Sequence, residues 1–70
     1  MLPQFNMGDR VEIYNTTDKR VDGLIVEVVG KAAQMQDNIY YIVRYPHLLN
    51  GWECGNFSNA CLRKVERVQM

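Results

Sequence analysis

Few side chains in this sequence suit chemistry near neutral pH. His47 is the sole histidine, and Cys54 and Cys61 are the two cysteines. His47 with Cys54 has the composition of a base–nucleophile pair. No third residue in the sequence stands out to orient the imidazole. The plain reading of His47 is a solvated loop histidine, with ligand contact as its functional alternative. The cysteines lie seven positions apart with no C-x-x-C spacing. With His47 they offer three soft ligands, whereas structural zinc takes four. The expectation is therefore no metal, no cofactor and no enzyme activity. One cysteine should be a small core residue and the other a free thiol. The acidic residues show no paired spacing for acid–base work, and there is no glycine-rich phosphate loop.

Two basic clusters stand out, Lys19-Arg20 and Arg63-Lys64 with Arg67. Beside Tyr40 or Tyr45 they would suit a nucleic-acid backbone with stacked bases. Acidic residues interleave with them, so ordinary strand-edge charge is the favoured reading. The larger signal is aromatic: Tyr14, Tyr40, Tyr41, Tyr45, Trp52 and Phe57. A domain of 70 residues cannot bury all six. Those left at the surface make rigid, amphipathic contacts with partners. Trp52 is open between two roles, core anchor and surface contact.

These residues must be positioned by a thin, single domain. The apolar fraction of 47 % is that of a globular chain. Eight basic and eight acidic residues cancel, so the general electrostatic footprint of a nucleic-acid binder is missing. No apolar run approaches the roughly 20 residues of a membrane span. Met1 to Arg10 lacks the basic start and apolar centre of a signal peptide. Two cysteines, rather than a dense set, point to the cytoplasm.

Ile39 to Tyr45 is the central strand, with three tyrosines and three β-branched residues in its seven positions. Tyr41, Val43 and Tyr45 share one face, and Tyr40, Ile42 and Arg44 the other. Arg10 to Tyr14 alternates cleanly, with Val11 and Ile13 inward. Asn15 to Arg20 is a polar loop, and Asp22-Gly23 a turn. Leu24 to Val29 is apolar on both faces, which suits a central or bulged strand. Lys31 to Asn38 reads as a loop with room for one helical turn. Pro46 to Asn50 is a loop, and Asn50-Gly51 a hairpin turn. Trp52 to Phe57 is the fourth strand. Ser58 to Leu62 is a helical turn capped by Ser58. Leu62 to Val68 is a charged edge strand, with Leu62 and Val65 facing the core. Residues 1–7 form a lead-in, in which Leu2 and Phe5 either plug an open barrel end or fray. Residues 8–68 form the domain. The fold class is all-β: a small five-stranded, partly open barrel with one short helical turn before the last strand.

Gly8-Asp9-Arg10-Val11, Gly23-Leu24-Ile25-Val26-Glu27-Val28, Tyr40 to Tyr45 and Leu62-Arg63-Lys64-Val65 resemble SH3-like barrels. The order is similar to KOW-like and Tudor-like domains and to short phage-encoded barrels. The resemblance speaks to fold far more than to function. Type II dihydrofolate reductases, tetrameric SH3-like barrels around a pore, also open near a Gly-Asp-Arg-Val segment. Their pore carries a Val-Gln-Ile-Tyr run, and this chain has Cys54-Gly55-Asn56-Phe57 at the matching place. No catalytic residue carries over.

In SH3-like barrels, loops after the first and third strands bracket an aromatic groove. The resemblance thus implies a binding surface of Tyr14, Tyr45, His47 and Trp52, and Arg44 adjoins it. The leading expectation is a small binding module, an accessory protein of a phage or other mobile element that modulates a host protein. A KOW-like or Tudor-like nucleic-acid binder is the second reading, and an oligomeric pore enzyme the third. No membrane partner is expected, and exposed strand edges leave room for a homo-oligomer.

Overall fold

A computed structural model describes residues 4–65. Five antiparallel strands form one sheet: β1 (Arg10–Ile13), β2 (Ile25–Met35), β3 (Asn38–Leu49), β4 (Trp52–Ser58) and β5 (Leu62–Lys64). Their order across the sheet is β4-β3-β2-β1-β5. β4 and β5 are not paired with each other, so the sheet stays open, with a single 3-10 turn (Asn59–Cys61) between them in sequence. The all-β class, the strand count, the open side and the turn before the last strand all agree with the sequence reading. Glu66 to Val68, part of the expected last strand, and Leu2, one of the two expected end plugs, lie outside the described residues.

Alternation builds the core. Val11 and Ile13 from β1, Val26 and Val28 from β2, and Ile39, Tyr41 and Val43 from β3 are buried on one face. Leu62 and the loop residue Val21 complete it. The central strand β2 carries two bulges, at Val29 between the pairs Val28↔Val43 and Gly30↔Ile42, and at Ala32 between Lys31↔Tyr41 and Ala33↔Tyr40. Each adds a residue on one side of the ladder and sharpens the local twist, which curls the sheet around its small core.

Two expected loops are strands. Lys31 to Asn38 is not a loop with a helical turn: β2 runs to Met35, and β3 begins at Asn38. Ala33, Gln34 and Met35 pair with Tyr40, Ile39 and Asn38, so the ladder overrides their helix preference. Gln36-Asp37 makes the turn, with Gln36 at φ 50°. Pro46 to Leu49 is likewise extended rather than loop. Here the ladder is interrupted, because regular pairing stops at Arg44↔Cys54 and resumes at Leu49↔Trp52. Pro46 has no N–H to give a ladder and sits inside the interruption. Asn50-Gly51 closes the hairpin, as expected, with φ of 49° and 87°. Positive φ at both central residues is the backbone signature of a type I′ hairpin turn.

Phe5 of the lead-in packs on the core. Its ring meets Tyr41 edge-on with centroids 5.2 Å apart. Its N–H donates to the Tyr41 hydroxyl at 3.1 Å.

Candidate functional site

The β1–β2 loop is held by its own carboxylates. Asp18 takes a forked pair of bonds from the Arg20 guanidinium, at 3.0 and 2.9 Å. This keeps the Asp18 carboxyl below the usual carboxylate range. The Asp18 carbonyl accepts the N–H groups of Val21 and Asp22 at 3.2 and 3.0 Å. Val21 is thereby turned inward and pegs the loop to the core.

Both basic clusters face nearby carboxylates. Arg20 is bound by Asp18. Arg63 donates to Glu12 at 2.9 Å and lies over the Tyr14 ring, 4.7 Å from its centroid. Lys64 lies 3.9 Å from Asp9. Arg67 lies outside the described residues.

A shallow depression of about 350 Å³ opens on the outer face across β1, β2 and β3. Register explains its lining. Arg10 pairs with Glu27, and Glu27 with Arg44, so two guanidiniums flank one carboxylate in a cross-strand row. Arg44 approaches Glu27 to 4.0 Å. Ile25, Tyr45 and Pro46 supply the apolar walls.

Of the five residues singled out in the sequence, Arg44 and Tyr45 line this depression. His47 and Trp52 stand exposed on the β3–β4 hairpin just beyond it. Tyr14 is half-buried elsewhere, beside Arg63 where the chain leaves β1. Trp52 is 69 % exposed, so it is not the anchor of the core. Leu48, 66 % exposed on the same hairpin, was not singled out in the sequence; nor were Arg10, Ile25, Glu27 and Pro46. An apolar residue two places after a proline was the available signal for Leu48. The Arg10–Glu27–Arg44 row needed the register.

Tyr45 has a second task. Its ring lies over Gly55, where a side chain would collide with it. Burial, with the Asp18 carboxylate adding to it, raises the Tyr45 phenol above its ordinary value of 10.0. The fold therefore favours the neutral phenol. Tyr45's contribution to stability is complete below pH 10 and is lost as pH rises through the higher folded-state value. Urea unfolding above about pH 10 should show a decline that Tyr45→Phe lessens; an identical decline in that variant would count against the assignment.

Both cysteines are free thiols, Cys54 exposed and Cys61 half-buried. Neither joins the buried core, so the expectation of one core cysteine is not met. The neighbouring Leu62 takes the core position, and the Cys61 Sγ turns to the Asn15 carbonyl at 3.8 Å. Among the described residues, no three histidine, cysteine or acidic side chains gather as a metal site would need. Among the same residues, no helix is long and apolar enough to cross a membrane. No protein-family model, curated protein or solved structure matches this chain.

Proposed function

We propose that the chain is a small, SH3-like, non-enzymatic binding module that recognises another protein. The recognition surface is the tip of the β3–β4 hairpin, with Trp52 and Leu48 on its two faces, together with the adjoining depression. One observation carries this reading: Trp52 and Leu48 are 69 % and 66 % exposed on a tight two-residue hairpin. Leaving two large apolar side chains in water has a cost, and burial against a partner recovers it. Aromatic and arginine side chains also dominate the energetics of protein interfaces. Arg44 and Tyr45 lie immediately next to the hairpin. The depression mixes apolar walls with two guanidiniums, which suits a segment bearing both apolar and acidic groups.

The resemblance to phage-encoded barrels extends the proposal to a host protein as the partner. The free thiols suit a reducing cytoplasm.

The test is capture from bacterial lysate by tagged wild type and by Trp52→Ala, each with and without nuclease. Trp52 is largely exposed, so the variant should remain folded, as circular dichroism would check. The expected result is a nuclease-resistant protein partner held by wild type and lost by Trp52→Ala. Capture retained by a folded variant would remove the hairpin from the interface. Capture abolished by nuclease would move the reading to nucleic acid.

A further inference from the structure

We propose that the protein self-associates through β4, two copies laying these strands edge to edge, antiparallel, across a two-fold axis. The sheet has two edges, and they are built differently. β5 has three residues, of which Arg63 and Lys64 are exposed. Short length and basic side chains keep an edge strand from pairing with another chain. β4 has seven residues, Trp52–Ser58, without lysine, arginine or proline. Its one charge is Glu53. Among the described residues β4 pairs with β3 alone, so within that set its other side presents an open row of N–H and C=O groups. One edge is protected and the other is not.

A second copy fits this edge without charge conflict. Centring the axis on Gly55, the middle residue of β4, pairs Glu53 with the partner's Phe57 and Cys54 with the partner's Asn56. The two Glu53 residues then lie about four residues apart along the joint, roughly 14 Å at about 3.4 Å per residue. That exceeds the Debye length of about 8 Å at physiological salt, so their repulsion is screened. Each exposed Trp52 meets the partner's Ser58 at an end of the joint. The thin interior supplies a motive, because nine apolar side chains are buried among the described residues. Chains this small commonly gain stability by associating. The depression draws no lining residue from β4 and so does not depend on this joint.

The test is light scattering of the full chain in reducing buffer over a concentration series, with Asn56→Lys alongside. Asn56 is exposed, so the substitution adds the missing edge charge without disturbing the core. The expected result is a wild-type dimer and a folded, monomeric Asn56→Lys. A wild type that remains monomeric at every concentration overturns the proposal, as does a dimer unchanged by Asn56→Lys. The protein-binding reading is judged separately: a monomer that still captures its partner sinks only the dimer, and a dimer that captures nothing sinks only the partner.

Discussion

Asn59→Ala should lower the unfolding free energy by about 1–3 kcal/mol, the cost of leaving a buried donor without its acceptor. Asn59 is the one buried polar residue among those described, 7 % exposed. Its Oδ1 accepts the backbone N–H of Ile39 at 2.9 Å, across twenty positions of sequence. Ile39 is itself buried near the start of β3. In the variant its N–H would face apolar neighbours with nothing to bind. The expected loss is large for this chain. At about 0.05–0.15 kcal/mol per residue, a domain of this length has only about 4–10 kcal/mol of stability. Urea unfolding should show a lower midpoint with an unchanged slope. Hydrogen exchange at the Ile39 amide should accelerate beyond the global change. An unchanged midpoint would mean that water or a local shift replaces the bond.

The same contact shows where the sequence stops being informative. Ser58 reads as a helix cap, because serine before a polar turn is the usual capping pattern. It does occupy the cap position, extended at φ −77° and ψ 160°, yet its side chain makes no capping bond. The neighbouring asparagine instead ties the turn to a distant strand, and no local pattern announces a bond of that span. Val21 is similar. It sits in a run of polar residues and becomes core because the Asp18 carbonyl draws the loop inward. By contrast, Val11, Ile13, Tyr41 and Val43 were legible from alternation alone, since a period of two assigns each side chain to a face. Asn50-Gly51 was legible because few other pairs accept two positive φ values. The ends of β2 and β3 were not. Whether Ala33 to Met35 extend is decided by the Ile39-Tyr40 segment opposite them, not by their own preferences.

The candidate site divides along the same line. Aromatic surplus in a small domain announced that some rings must face water, and Trp52 does. Which rings would meet was a question of register and hairpin geometry. Within the break in the ladder after Arg44, Tyr45 folds back over Gly55 while His47 and Leu48 stand exposed, and Trp52 is exposed where pairing resumes opposite Leu49. Tyr14 parts from them because β1 ends at Ile13 and its chain turns toward Cys61, whose carbonyl accepts the Tyr14 N–H at 2.9 Å.

Gly55→Ala should destabilise the protein when Tyr45 is present and stabilise it when Tyr45 is absent. A methyl group at position 55 would collide with the Tyr45 hydroxyl, lie 2.9 Å from Tyr45 Cζ and stand 3.2 Å from Phe57 Cε2. The tyrosine is not free to swing away without cost, because its half-buried ring packs against the core. Overpacking of this kind costs about 1–3 kcal/mol. Against it stands the gain from replacing glycine in a strand, about 0.5–1 kcal/mol. The clash outweighs the gain in the wild-type background, for a net loss of up to about 2.5 kcal/mol. Tyr45→Ala removes the hard clash and opens room for the Phe57 ring, 3.2 Å from the methyl, to give by a few tenths of an ångström, so Gly55→Ala becomes favourable there by up to about 0.5–1 kcal/mol. The sign change across the double-mutant cycle is the diagnostic result, and urea unfolding of the four proteins measures it. Equal effects of Gly55→Ala in both backgrounds would show that Tyr45 does not cover the glycine. The cycle also bears on the proposed recognition of a partner. Tyr45 lines the outer depression, and Gly55 does not. A ring displaced by the new methyl group therefore alters that surface from a position outside it. Gly55→Ala should weaken partner capture at temperatures where the protein remains fully folded, and Tyr45→Phe, which keeps the ring, should not.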